Sequence, residues 1–401
     1  MAKTAQHGLN RRRFANVMGG AALIAGKAAP APMAIAESRL YHLQAPTEQP
    51  VKTAFGVMTA RHLVLLELRD ELGNRGFGES WINFPAWAPG ERVAAFRTAF
   101  LPYLKGRQVE DIPAFIRDMG RAFRGPAVQS GTTGPLVSAL CAVSMALTDL
   151  AAKRRKVPLA QLLFNAPSPR VKIYGSGINA PLPWKWIDRL LDRGVTLFKL
   201  KLGFGDDEDL ANLKALKAHL GSEAAVAVDV NRNWTLSKAR QWAGRLAGYE
   251  VRWLEEPLTV EDEPLTGELA ADCPVPLAGG ENILLEPGGD IGALAASPFA
   301  IVQPDATKYC TTHDFLRVIP EAARRGKKVL PHFLGSAPGQ AFSIHLAAGC
   351  SEPLVEWDIN ANPLHTEMLA EGFTIEEGGI AIPDAPGLGW TPKLQAKDRV
   401  A

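Results

Sequence analysis

Two patterns of apolar and polar positions divide the chain. Over residues 38–80 the pattern predicts strands. Leu63-Val64-Leu65-Leu66-Glu67-Leu68 is rich in strand formers, Arg69-Asp70-Glu71-Leu72-Gly73-Asn74 is a turn, and Gly76-Phe77-Gly78-Glu79 leads back. Helical spacing follows near 90–105 and 110–123. A longer helix is predicted from Pro135 to Lys153, where Leu136, Leu140, Val143, Ala146, Leu147 and Leu150 share a face. The front third therefore reads as α+β.

From about residue 170 the pattern changes to short apolar strands alternating with amphipathic helices such as 207–220 and 236–247. The strand candidates are Val171–Gly175, Leu197–Leu202, Ala224–Val230, Val251–Glu255, Val275–Ala278, Ala300–Gln303, Lys328–Pro331 and Pro353–Trp357. Eight such units predict a (β/α)8 TIM-like barrel at the compact end of its size range. A doubly wound open sheet would usually carry a glycine-rich phosphate loop after its first strand, and none of that type occurs there. Phe373-Thr374-Ile375 and Gly379-Ile380-Ala381-Ile382-Pro383 form a candidate hairpin, after which the chain is expected to return to the front. The predicted units are a capping domain over 37–168, the barrel over 169–368, and a return to the cap over 369–401.

The 401 residues are 47% apolar and 21% charged, enough to bury a large core. The net charge is +2, but residues 1–36 carry Lys3, Arg11, Arg12, Arg13 and Lys27 and no acid, leaving the body at −3. A mildly acidic body argues against nucleic acid or an anionic membrane as the main partner. No apolar run reaches the ~18 residues that span a bilayer. Cys141, Cys273, Cys310 and Cys350 are too scattered for a zinc site or a disulfide framework.

The amino-terminal segment has a pattern of its own. Arg11-Arg12-Arg13-Phe14 precedes a small, apolar stretch from Val17 to Gly26, then Lys27 and an Ala/Pro tract. This resembles a twin-arginine export signal, which carries folded proteins to the periplasm. Ala34-Ile35-Ala36 suits a signal peptidase, giving a segment 1–36. The other reading is a cytoplasmic protein that starts at Met33. In both, residues 1–32 lie outside the fold.

Candidate chemistry sits at the strand ends. The second strand ends in Lys199-Leu200-Lys201, the third in Asp229, the fourth in Glu255-Glu256-Pro257, and Gly280-Glu281-Asn282 follows the fifth. The sixth ends in Gln303-Pro304-Asp305, the seventh in Pro331-His332, and the eighth carries Glu356. From Lys201 to Glu356 the spacings are 28, 26, 26, 24, 27 and 24 residues, one βα repeat each. In a barrel this brings every group to the carboxyl-terminal rim. Asp229, Glu255 and Glu281 on adjacent strands repel one another unless a cation intervenes. An all-oxygen set suits Mg²⁺, then Mn²⁺. The competing expectation is a set of separate salt bridges to barrel lysines. Lys199 and Lys201 point the same way, and an adjacent ammonium or a metal lowers a lysine pKa toward use as a base. Asp305 and His332 on successive strands can form an oriented acid–base dyad.

In this order the motifs resemble those of the enolase superfamily, mandelate racemase subgroup, over residues 38–395. The resemblance implies that Asp229, Glu255 and Glu281 bind Mg²⁺, that Lys201 is one acid/base with Lys199 as electrostatic neighbour, and that Asp305–His332 is the opposite one. It implies that Glu356 is a hydrogen-bonding electrophile toward a substrate carboxylate, and that Asn231 touches metal or substrate. Asn231, Asn282 and Lys308 are candidates for contacting hydroxyls or for supporting other side chains. Cap loops near 47–57 and 80–90 are expected to close over the barrel, the second, Trp81–Trp87, either docked on its mouth or acting as a lid. The implied function is removal of a proton α to a carboxylate on a small molecule, with acid-sugar dehydration first. Racemisation or epimerisation of an α-hydroxy acid and lactone cycloisomerisation are alternatives. A non-catalytic carboxylate-binding protein is the alternative of a different class, and a homo-oligomer is the implied assembly.

Overall fold

The computed structural model describes residues 32–53, 56–369 and 372–401. The export-like segment lies outside them.

The chain opens on an antiparallel sheet of order β3-β2-β1-β4, formed by β1 (Met33–Thr53), β2 (Gly56–Asp70), β3 (Arg75–Ser80) and β4 (Gln108–Val109). The continuous apolar run in β2 is explained by burial on both faces. Val64, Leu66 and Leu68 pack with the cap helices, while Leu63 and Leu65 join the core shared with the barrel. Helix Thr133–Arg154 crosses the sheet. Gly76 and Gly78 of β3 let it approach, since a Cβ at either would collide with the carbonyls of Ala146 or Ala142. Contrary to the expectation from apolar runs, this helix is apolar enough to cross a bilayer, but Leu136 to Ala152 are all buried in protein.

The cap begins earlier than the boundary expected at residue 37. Met33 pairs with Val109, and Met33 and Ile35 are both 1% exposed. A cut after Ala36 would remove two core side chains.

Eight parallel strands follow: β5 (Arg170–Ile178), β6 (Leu197–Lys201), β7 (Ala225–Asp229), β8 (Leu254–Glu255), β9 (Leu277–Gly279), β10 (Ile301–Val302), β11 (Lys328–Val329) and β12 (Leu354–Asp358). Each falls on a predicted strand. They run in the order β12-β5-β6-β7-β8-β9-β10-β11, a (β/α)8 barrel. Between β11 and β12 the ring is bridged by side chains: Phe333 N–H donates to Glu356 Oε2 at 3.2 Å, and Gln340 Nε2 to the Glu356 carbonyl at 3.0 Å.

The predicted hairpin forms as β13 (Ile375–Glu376) and β14 (Gly379–Ala381). It joins the barrel rather than the cap, with Ile380 paired to Val171 of β5. The terminal residues make the return to the cap: Leu40 N–H donates to the Ala401 carbonyl and Val400 N–H to the Leu40 carbonyl, both at 2.8 Å.

Candidate active site

Strand periodicity builds the site. Tyr174, Leu197, Ala227, Trp253, Ala278, Ile301, Leu330 and Leu354, one at or beside each barrel strand, form a separate apolar cluster inside the ring. Side chains alternate along a strand, so residues two further on point into the same interior one layer higher. Those residues are Ser176, Lys199, Asp229, Glu255, Gly280, Gln303, His332 and Glu356. An apolar plug thus carries a polar layer. Lys201, Glu281 and Asp305 cap it at the rim.

The predicted residues come together in chains of contacts. Lys199 Nζ lies 2.5 Å from Glu255 Oε1, 2.8 Å from Glu356 Oε1 and 3.7 Å from Asp229 Oδ2. Lys201 pairs with Asp229 Oδ2. His332 pairs through Nδ1 with Asp305 Oδ2 at 2.8 Å and through Nε2 with Glu281 Oε2. Lys308 Nζ lies 3.2 Å from Glu281 Oε1 and donates to Asn282 Oδ1 at 2.7 Å. Asn231, with φ of 49°, donates its N–H to Asp229 Oδ1 at 2.8 Å and its amide to Oδ2 at 3.2 Å, so it orients that carboxylate.

These contacts set the charge states. Burial, the largest influence, would lower Lys201, but Asp229, Glu255 and Glu356 together outweigh it and the net shift is upward. The expected depression of the lysine pKa is therefore not seen here. Lys199 does oppose the charge, but less strongly than the carboxylate favours it. His332 is raised well above its ordinary value; burial opposes, and Glu281 and Glu356 prevail. Glu356 is lowered, with burial outweighed by Lys199 and His332. It accepts from Ser176 Oγ at 2.5 Å and from Phe333 N–H. An ionised Glu356 only accepts hydrogen bonds, so the donating role expected of it requires a proton that Lys199 disfavours.

The three carboxylates expected to share a cation each end on a protein cation, which is the competing expectation of separate salt bridges. Among the described residues, no three carboxylate, imidazole or thiol side chains converge on one coordinating point. The donor set still fits a divalent ion on charge. Six carboxylates, Asp229, Glu255, Glu256, Glu281, Asp305 and Glu356, are buried with Lys199, Lys201, Lys308 and His332. Even with the imidazole protonated, two negative charges are left over. Glu255 is pushed up to about 8 and Glu256 to about 7, each by burial first, with Asp229 and Glu356 adding to the former and Glu281 to the latter. One divalent cation on oxygen ligands would supply the missing charge.

Known proteins match the two domains of the chain. A family model described as "Enolase C-terminal domain-like" matches residues 185–396, and one described as "Mandelate racemase / muconate lactonizing enzyme, N-terminal domain" matches residues 36–163. The chain belongs to the enolase superfamily, in its mandelate racemase group. It is similar to an L-talarate/galactarate dehydratase of Salmonella typhimurium, 30% identical over 88% of this chain and 87% of that one. Its fold matches a mandelate racemase/muconate lactonizing enzyme from Bordetella bronchiseptica RB50 (TM-score 0.81, 34% identity, 90% of this chain and 98% of that one). It also matches an L-talarate/galactarate dehydratase from Salmonella typhimurium LT2 liganded with Mg and L-lyxarohydroxamate (TM-score 0.78, 26% identity, 94% and 95%). Other relatives are named as cycloisomerases and an epimerase. As a superfamily member the chain is an enzyme of the lyase or isomerase kind.

Several working residues were not given roles by the sequence. Trp253 Nε1 and Gln303 Nε2 donate to Glu255 Oε2 at 3.0 and 2.8 Å. Thr307 donates its N–H and hydroxyl to Asp305 Oδ1 at 2.7 and 2.6 Å. Gln303 stood inside a recognised motif, so its place on the period-two pattern could have found it. Thr307 carries no such signal.

Proposed function

We propose that this enzyme removes the proton α to a carboxylate of an acid sugar and completes a dehydration. The observation that carries this reading is a base on each side of one carboxylate row: Lys201 beyond Asp229, and the Asp305–His332 dyad beyond Glu281. Asp229, Glu255 and Glu281 would hold Mg²⁺, or Mn²⁺ in its place. Bound there, the ion supplies positive charge against the second negative charge that α-deprotonation puts on the substrate carboxylate.

The remaining chemistry belongs to the side chains. Asp229 favours protonated Lys201 and Lys199 beside it disfavours that charge, so Lys201 acts as a base once it has given its proton to solvent. Neutral Lys201 takes the α-proton, and the C–H electron pair passes into the enediolate. His332, protonated and oriented by Asp305, gives its proton to the β-hydroxyl, which leaves as water while the electron pair closes the Cα–Cβ double bond. Three of the relatives are named as acid-sugar dehydratases, which supports this reading. Lactone cycloisomerisation is the second reading, favoured by the likeness to a D-galactarolactone cycloisomerase of Agrobacterium fabrum.

The test is incubation with Mg²⁺ in D₂O against a library of sugar acids, α-hydroxy acids and lactones. Deuterium at Cα of the recovered substrate, together with a dehydrated keto acid that carries solvent deuterium at Cβ, is the expected result. Exchange with ring opening or closure favours the second reading, and carboxylate binding without exchange overturns both. A homo-oligomer, checked by light scattering, belongs to the same proposal. So does export directed by Arg11-Arg12-Arg13-Phe14, checked by amino-terminal sequencing of the native protein, with any cleavage before Met33.

A further inference from the structure

The cap touches the loops of the site through several segments, and one of them is the stretch that ends and follows β3. Glu79 lies near the end of β3, and Trp81 and Asn83 follow just beyond it. Glu79 is 1% exposed. Its Oε1 accepts the Ser336 N–H and its Oε2 the Gly339 N–H, both at 2.9 Å. These N–H groups open helix Ala337–Ala347, whose N-cap Ser336 makes no side-chain cap of its own. A carboxyl group from another domain thus fills the role of a helix cap; burial pushes it up to about 7, and the two N–H groups oppose that rise. Two residues on, Trp81 N–H donates to the Thr307 carbonyl at 3.1 Å. Asn83 donates its side-chain amide to the Leu334 carbonyl.

All three contacts land on loops that carry the histidine half of the site. Thr307 holds Asp305 Oδ1, and Asp305 Oδ2 holds His332. Leu334 and Ser336 are two and four residues after His332. Between them lies Gly335, where a Cβ would run into both Glu79 Oε1 and the Phe333 ring. Phe333 N–H in turn holds Glu356. Among the described residues, the ion-pair partners of Lys199 and Lys201 are Asp229, Glu255 and Glu356, all on barrel strands, with Glu356 the one shared with the histidine loop.

We propose that Glu79 and Asn83 are positioning residues for the histidine half of the acid–base machinery, the cap setting the place of His332 while the barrel alone sets that of Lys201. The inference rests on the two-base reading of the site.

The experiment follows α-hydrogen exchange in D₂O with the two epimers of a turned-over acid, each presenting its proton to one side. Glu79→Ala is expected to slow exchange on the histidine side at least tenfold and to leave the lysine side within twofold. Glu79→Gln keeps one acceptor and should fall between. Asn83→Ala should repeat the asymmetry more weakly. Lys201→Met and His332→Asn identify the sides. Equal loss on both sides in a variant with wild-type circular dichroism overturns the proposal, as does no loss on either. If Glu79→Ala does not fold, Glu79→Gln and Asn83→Ala decide by the same criterion. If the wild-type enzyme exchanges no α-hydrogen, the two-base reading fails. The positioning claim is then decided by ¹⁵N-histidine NMR: a shifted His332 resonance in Glu79→Gln supports it, and an unmoved one refutes it.

Discussion

Lys201 and His332 sit in one rim and are anchored by different parts of the chain. Lys201 and its neighbour Lys199 stand on a five-residue strand and, among the described residues, form ion pairs with carboxylates of the ring. His332 follows a two-residue strand, and its loop is tied to Glu79 and Asn83 of the cap. The ring between β11 and β12 is bridged by Phe333 and Gln340 rather than by a backbone ladder. Regular sheet fixes the lysine side, because each hydrogen bond there is local to the barrel. The histidine side depends on contacts between segments more than 250 residues apart, such as Glu79 with Ser336. A barrel of this kind can thus keep one half of its chemistry constant while the cap adjusts the other.

The largest expected effects test whether the two sides act separately. Lys201→Met and His332→Asn should each reduce α-hydrogen exchange on its own side by about 10²–10⁴-fold, the range for loss of a general acid or base. Each variant should keep exchange on the opposite side. Loss of both sides in both variants would mean the sides do not work independently.

The second test concerns how firmly the cap is fastened. Arg61 of β2 and Asp358 at the end of β12 form a buried ion pair at 2.7 Å, 2% and 1% exposed. Arg61→Ala strands a buried carboxylate and should cost about 3–5 kcal/mol in calorimetric or denaturant unfolding. A cost below about 1 kcal/mol, typical of exposed pairs, would show that the cap is held elsewhere.

Removing divalent metal is expected to act on the carboxylate row between the sides. At a free ion concentration 100 times Kd, bound metal stabilises by about 2.7 kcal/mol, so a chelator should lower Tm by the matching amount. The shift should fall to about 1.4 kcal/mol or less in Asp229→Asn, whose row lacks one ligand. A chelator shift of equal size in that variant would place the ion elsewhere.

A separate test is a pH dependence at the junction of cap, barrel and tail. His345 accepts the Ala160 N–H at Nδ1, 3.1 Å away, and its Nε2 lies 3.3 Å from the Leu388 carbonyl. Burial pushes it down to about 4. Folded His345 is then neutral while the unfolded side chain, near 6.5, takes up a proton. The unfolded state binds more protons between these values, so stability falls as pH drops from about 6.5 to 4. His345→Gln keeps an acceptor and a donor, and its stability should fall less steeply over that window, by roughly one proton. An unchanged slope would contradict this.

The barrel was legible because a short strand followed by a polar rim residue recurs at one βα repeat, and the same rhythm placed Lys201, Asp229, Glu255, Glu281, Asp305, His332 and Glu356 together. Their pairing was not legible. Periodicity tells which way Asp229 points, not whether it meets a cation or Lys201. Glu356 was expected to donate a hydrogen bond, but the ammonium of Lys199 keeps it ionised, a contact that spans 157 positions of sequence. Glu79 closes a strand-like stretch and shows nothing locally of the helix it caps. The cap boundary was set at 37 by a cleavage-like Ala34-Ile35-Ala36, although Met33 and Ile35 already alternate as buried strand residues.

The most direct test of the carboxylate row is Mn²⁺ binding followed by electron paramagnetic resonance in the wild-type chain and in Asp229→Asn, Glu255→Gln and Glu281→Gln. One tightly bound ion per chain, weakened at least tenfold by each substitution alone, is the predicted result. Binding left intact by all three substitutions would contradict a shared cation between the lysine and histidine sides.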